Sequence, residues 1–184
     1  WSDAKIPDRT AGILGTPDQA EAVYQHLLAD AKLLERAGCT VLAIPCNTSH
    51  YFADRLQGEL HIPLIHMIRE TVSAIRAMGK TTVGILATDG TVQTGIYQRE
   101  CAARGIEAVA PPADVQKLVM SIIYDEIKRG LPGTLEEFLP IDRAVRRELD
   151  CDGAILGCTE LSVYRTYHGL PDYYLDAMEI LAER

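Results

Sequence analysis

Three short apolar runs constrain the fold more than anything else in the sequence: TVLAIP at 40–45, TTVGILA at 81–87 and GAILG at 153–157. None alternates polar with apolar residues, so none suits a sheet with one wet face. Runs of this length and composition fit parallel strands buried on both faces. Between them the periodicity changes to that of helices. Val23, Leu27, Leu28, Ala31 and Leu34 recur at helical spacing within 18–37, and AGC closes the segment. Further helices are predicted from near Ser49 and over 69–78, 94–104, 113–128 and 134–150, with further strands at IPLIHM and GIEAVA. Thr134 and Glu137 have the spacing of a capping box, whereas Pro140 is expected at a break or in an early turn. The opening WSDAKIPDRT reads as an extended polar segment. Repeated strand–helix order predicts an α/β protein with parallel sheets.

The chain has 184 residues, 47% of them hydrophobic, which is enough for one large core or two small ones. Its 26 acidic and 18 basic residues give a net charge of -8, with the cations scattered rather than gathered in a stripe. That pattern argues against nucleic acid as a partner. A small anion is still compatible, because one or two cations inside a pocket outweigh the sign of the surface. The five cysteines, Cys39, Cys46, Cys101, Cys151 and Cys158, are odd in number and contain no C-x-x-C pair. Neither a disulfide framework nor a common zinc site is expected, and a reducing, cytoplasmic setting fits best. No signal-like segment and no apolar run approaching ~18 residues is present, so membrane insertion and secretion lack support.

A weak internal repeat carries the chemistry. AGCTVLAIPCNT and ELDCDGAILGCTE each hold a cysteine, a strand and a second cysteine, Cys46 in one and Cys158 in the other. Downstream, PLIHMIRETV and YYLDAMEILA each supply another strand-to-helix transition, with His66 and Asp176 in matching places. Two related halves are expected, each with a cysteine at the carboxyl edge of its sheet. Cys39 and Cys151, just before the strands, read as small hydrophobes. Cys46 reads either as one more buried thiol or as a reactive one. At a strand end leading into a helix, free N–H groups and the positive helix end favour a thiolate and can also hold a carboxylate. His50, four residues further on, either approaches the thiol or packs around it, since spacing fixes reach but not role.

PCNTSH and LGCTEL, in that order and together with IPDRT, LATDGT and IIYDEIKRG, resemble the aspartate/glutamate racemase family, and most of all its aspartate racemase branch. The resemblance implies two pseudo-symmetric Rossmann-like lobes with an active site in the cleft between them. The first lobe would span 1–66 and be completed by 170–184, and the second would span 67–169. Cys46 and Cys158 would flank the α-carbon of a small acidic amino acid and exchange roles as base and acid. No cofactor, neither pyridoxal phosphate nor metal, would be needed. Arg9 and Lys128 read alone as ordinary surface cations, but the resemblance makes them ligands of substrate carboxylates. Asn47, Thr48 and Thr159 are candidates to stabilise the enolate-like carboxylate, and Thr88 is a comparable hydroxyl. Glu160 is placed to meet a substrate ammonium or helix N–H groups. A homodimer fits the resemblance, with Tyr97, Tyr124, Tyr164 and Tyr167 available for contacts or for ordinary packing.

Aspartate is the leading substrate, with glutamate or a broader range as the alternative. A cysteine-dependent dicarboxylate isomerase or decarboxylase would leave one thiol without a role, as would a hydrolase built on Cys46 and His50. A truncated, non-catalytic amino-acid-binding protein is the non-enzymatic reading. One departure matters: aspartate racemase relatives ordinarily open with a strand and a GGMGP-like loop ahead of the region matched here. The first lobe is therefore expected to lack an inner strand and to expose unpaired backbone.

Overall fold

A computed structural model describes residues 4–184. Residues 1–3 of the opening segment lie outside it. The remainder is not extended as expected, because Asp8 accepts the Ala11 N–H at 2.9 Å and caps a short helix, α1 (Arg9–Leu14). Helix α2 (Pro17–Arg36) starts on a capping box of Thr16 and Gln19 with Pro17 in its first turn. It ends at Gly38, whose φ of 91° lets the Cys39 N–H turn back to the Leu34 carbonyl. Strand β1 (Leu42–Ala43) follows, then a 3-10 helix, Thr48–Phe52, and α3 (Ala53–Gln57). Strand β2 (Leu64–Ile65) pairs with β1 in parallel and leads into α4 (Met67–Ala77).

Strand β3 (Thr82–Ala87) opens the second sheet. A short helix that was not expected, α5 (Asp89–Gln93), follows it, and the helix expected over 94–104 is α6 (Ile96–Ala102), which starts after Gly95 in the left-handed region. After β4 (Glu107–Val109), α7 (Ala113–Ser121) widens into a π turn, Ile122–Glu126, and tightens to a 3-10 turn, Ile127–Arg129. Helix α8 (Leu135–Arg143) begins on the expected Thr134–Glu137 capping box. Pro140 lies inside α8 rather than at a break. It lies on the exposed face of the helix, while Phe138 and Ile141 are buried. A second π turn, Ala144–Glu148, leads to β5 (Gly153–Gly157), α9 (Thr159–His168), β6 (Tyr174–Asp176) and α10 (Ala177–Ala182).

The two parallel sheets sit in two lobes, the second with strand order β4-β3-β5-β6. Strands β3 and β5 are sandwiched as their sequences predict. Leu86 and Leu156 meet Ile123, Phe138, Ile141 and Val145 on one face, while Ile85 and Ile155 meet Ile68, Val72 and Ile75 of α4 on the other. A Cβ on Gly84 would come within 2.8 Å of Val145 Cγ1, so the absent side chain admits the π turn against the sheet.

Strand β1 departs from the expectation of burial on both faces. Leu42 is buried, but Ala43 is exposed and Val41 is 47% exposed. Its only strand neighbour among the described residues is β2. Beside it lies a cavity of about 350 Å³ lined by Leu27, Leu34, Leu42, Ile44, Leu56 and Leu64. The carboxyl-terminal segment also differs from expectation: β6 hydrogen-bonds to β5 in the second sheet rather than to the first. Its helix, α10, packs through Ala177 and Leu181 against Met67 at the start of α4, with Ile65 of β2 beside them. No helix of the described residues is long and apolar enough to cross a membrane.

Candidate functional site

Cys46 and Cys158 line one cavity of about 70 Å³, together with Arg9, Asn47, Thr48, Thr88, Lys128, Thr159 and Glu160. Each cysteine sits just past the carboxyl end of a parallel strand, where open α/β sheets leave their clefts. The surroundings of the two differ. Cys158 is the N-cap residue of α9, with extended backbone. Cys46 leads instead into the short 3-10 helix, so the full α-helical N-terminus expected behind it is behind Cys158 only.

Glu160 is the immediate partner of Cys158. The thiol donates to Glu160 Oε2 at 2.8 Å, and the Thr159 hydroxyl donates to the same oxygen at 3.0 Å. Burial pushes the Cys158 thiol well up, the Glu160 carboxylate adds to this, and the Glu160 backbone N–H opposes it. Cys158 is thereby held as a proton donor. Arg9, the first residue of α1, lies on the Cys46 side. Burial disfavours its guanidinium, but Cys46, Asp8 and Glu160 together more than offset that and raise its pKa. Lys128, in the turn after α7, meets Asp8 at 3.3 Å and stands over the Tyr124 ring at 3.8 Å. Tyr124 also donates to Asp8 at 3.0 Å. Burial raises the Asp8 carboxyl, but the Ala11 N–H, Lys128 and Tyr124 bring it below its ordinary value.

The threonines form one hydroxyl cluster. Thr10 donates to Thr88 at 2.9 Å, and Thr48 lies 3.1 Å from Thr88 and 2.9 Å from Thr91. The cluster joins α1, the 3-10 helix and the start of α5. Gly90 lets them meet, since a Cβ there would stand 3.0 Å from both Thr10 Cα and Thr48 Cγ2. Asn47 is 2% exposed, and its Oδ1 accepts the Tyr97 hydroxyl at 2.6 Å.

His50 turns to the backbone rather than to the thiol. Its Nδ1 lies 2.9 Å from the Cys46 carbonyl and its Nε2 accepts the Met67 N–H at 3.0 Å, which fixes the neutral tautomer with hydrogen on Nδ1. Burial pushes its pKa down to about 4, with His66 adding to the effect against the backbone bonds to Cys46 and Ile65. His66 and Asp176, paired by the internal repeat, share an architectural role. His66 caps α4 by accepting the Arg69 N–H, and Asp176 caps α10 by accepting the Met178 N–H. Cys39 packs beside Ala31 and Leu42, and Cys151 is buried.

The contact tyrosines separate. Tyr97 and Tyr164 are fully buried and so are unavailable for a surface contact, Tyr124 faces the cleft, and Tyr167 is exposed. Sequence reading did not single out Asp8, Thr10 or Thr91, nor Tyr97 and Tyr124 as site residues. Only Asp8 carried a signal, an N-cap type three residues before Ala11. No group of three or more His, Cys, Asp or Glu among the described residues is placed to hold a metal.

The sequence matches the profile of the Asp/Glu/Hydantoin racemase family over residues 1–184. It is 32% identical over 100 residues to the broad specificity amino-acid racemase RacX of Bacillus subtilis, an alignment covering 51% of this chain and 44% of that protein. It is 28% identical over 148 residues to a glutamate racemase of Koribacter versatilis, covering 79% of this chain and 50% of the relative. The chain thus spans about half the length of these relatives. Among solved structures, the Picrophilus torridus aspartate racemase superposes with a TM-score of 0.77 at 26% identity, over 99% of this chain and 74% of that one. An aspartate racemase homologue from Pyrococcus horikoshii gives 0.76 at 27% identity, over 94% and 76%.

Proposed function

The chain belongs to the Asp/Glu/Hydantoin racemase family, and we propose that its cleft interconverts the enantiomers of an acidic amino acid, aspartate first, by proton transfer between two thiols. One observation carries this reading: Cys46 and Cys158, from the strand ends of different sheets, line a single cavity with two cations, Arg9 and Lys128. A hydrolase or decarboxylase needing one thiol would leave the other idle, and His50, the base such a hydrolase needs, is spent on backbone groups.

In the proposed reaction one cysteine, as thiolate, takes the α-proton; the Cα–H bond breaks and an S–H bond forms. The electron pair spreads into the α-carboxylate. The other thiol then gives its proton to the opposite face, leaving a thiolate behind, so the two cysteines have exchanged protonation and the reverse reaction uses them in reverse. Glu160 keeps Cys158 a donor in the resting site, and Cys46 then acts first as base. The chemistry uses no cofactor. Arg9 offers a fork for the side-chain carboxylate. Lys128 exchanges Asp8 for a substrate carboxylate, and Thr48, Thr88 and Thr159 line the same cavity. A volume of about 70 Å³ holds only a few waters, so the lobes part to admit substrate. Aspartate is put first on the resemblance of the sequence motifs, with glutamate as the alternative, since a glutamate racemase relative is 28% identical over 148 residues.

The test is incubation of the purified protein with each enantiomer of aspartate and glutamate in deuterated solvent, followed by chiral separation and measurement of α-deuterium. Interconversion of aspartate with deuterium in the product is expected. No exchange with any of the four would sink the reading, and faster turnover of glutamate would reassign the substrate.

A further inference from the structure

We infer that Tyr97 is a positioning residue that sets the orientation of the Asn47 side-chain amide and so presents an N–H donor to a carboxylate in the cleft. The inference rests on the reading of the cleft as an acidic amino-acid site. Tyr97 stands on α6, outside the cleft lining, with no exposed surface. Its ring lies against the backbone at Gly157, where a Cβ would come within 3.2 Å of Cε2. Passing beneath the residue that precedes Cys158, it reaches the residue that follows Cys46. Tyr97 therefore joins the two cysteine-bearing segments by one hydrogen bond, 2.6 Å from its hydroxyl to Asn47 Oδ1.

That bond leaves a consequence on the other edge of the amide. Asn47 Nδ2 is buried and has no hydrogen-bond partner in the protein. An unpaired buried donor is costly to keep, and Asn47 lines the cavity between Cys46 and Thr48. A carboxylate oxygen is the acceptor that Arg9 and Lys128 would bring there. A side-chain amide has two faces of opposite character. Turned over, Asn47 would offer Oδ1 to the cleft and repel the same carboxylate. The 2.6 Å bond that the phenol donates to Oδ1 holds the amide in the first of the two orientations. Thr71 is the competing neighbour. Its hydroxyl already donates to the Met67 carbonyl at 2.8 Å, which leaves it able to accept from Tyr97 in the reversed arrangement.

The experiment has two arms. In the first, aspartate kinetics are measured for the wild type, Tyr97→Phe, Asn47→Ala and the double variant. Tyr97→Phe is expected to raise KM about 10-fold, with a smaller change in kcat, as for a lost ground-state contact. In the Asn47→Ala background, Tyr97→Phe should add nothing, because its only route of action is gone. An unchanged KM in the single variant, or an additive loss in the double variant, overturns the inference. In the second arm, the Asn47 side-chain amide of the unliganded wild type is observed by NMR with ¹⁵N labelling. Weak transfer between its amide protons and the Tyr97 ring protons is expected. Strong transfer shows a reversed amide and overturns the inference, whatever the activity. Absence of turnover in the wild type would sink the racemase reading, while this second arm still decides the orientation.

Discussion

The two lobes carry the same device on unequal foundations. In each, a strand ends at a cysteine, a parallel partner strand runs beside it, and that partner ends at a residue capping the next helix: Cys46, β2 and His66 in one, Cys158, β6 and Asp176 in the other. In the second lobe, β5 lies between β3 and β6 with every residue buried. In the first, β1 has two residues, one of them exposed, and a cavity of about 350 Å³ beside it. A strand end that presents a cysteine thus needs only one paired neighbour and a capped helix to take shape, whereas rigidity comes from the layers on either side.

The largest effect belongs to the thiols. Cys46→Ala and Cys158→Ala should each lower racemisation at least ~10³-fold, and the double variant should lose little more, since the pair acts as a unit. Activity retained by either single variant would leave one lobe without a catalytic role. Core truncation should then separate the lobes. Leu86→Ala or Ile155→Ala, both fully buried in the second sheet, should cost about 2–5 kcal/mol in denaturant unfolding. Leu42→Ala, beside an existing cavity, should cost roughly half as much or less, because it loses fewer packing partners. Equal costs would remove the contrast.

Acid should find the first lobe through His50. Its folded pKa, about 4, lies below its ordinary 6.5, so the unfolded chain binds the proton more readily. The stability this contributes is complete above about pH 6.5 and is lost as the pH falls towards 4, on the order of a few kcal/mol. Urea midpoints measured between pH 7 and pH 4.5 should fall, and His50→Gln should flatten that fall. A parallel decline in both proteins would assign the acid sensitivity elsewhere. The smallest effect is at the caps. Asp176→Ala, which removes the acceptor for Met178 and for the Ser162 hydroxyl, should cost about 1 kcal/mol or somewhat more. His66→Ala should cost less, because its single capping bond is 3.3 Å long. Thermal unfolding of the two variants would rank them.

The sequence made the second lobe legible because local and tertiary signals agree there. GAILG and TTVGILA are continuous apolar runs, and two flanking layers bury them as such. TVLAIP carries the same local signal, but a strand's burial also depends on its neighbours, and among the described residues β1 has only β2 beside it. The cysteines could be placed at strand ends because a buried run followed by polar residues marks a boundary. Their different surroundings could not be read. Glu160 reaches Cys158 by a local turn, but Arg9 and Lys128 come from segments far away in sequence. Tyr97 was the least visible: one aromatic in GIYQREC does not announce that its hydroxyl ends 50 residues away on Asn47. His50 shows the opposite failure, where spacing suggested a thiol partner and the ring instead took up the carbonyl of the same residue.

Arg9, Pro45 and Cys46 line both the candidate cleft and the cavity behind β1. The wall between the two spaces is therefore one residue thick at the first thiol, whereas Cys158 lines the cleft and not the cavity behind β1. Water entering the rear cavity would raise the local dielectric at Cys46 and screen its attraction to the guanidinium. A substitution that fills the space behind β1 therefore changes the polarity beside the Cys46 sulfur without altering the wall of the cleft at Cys158.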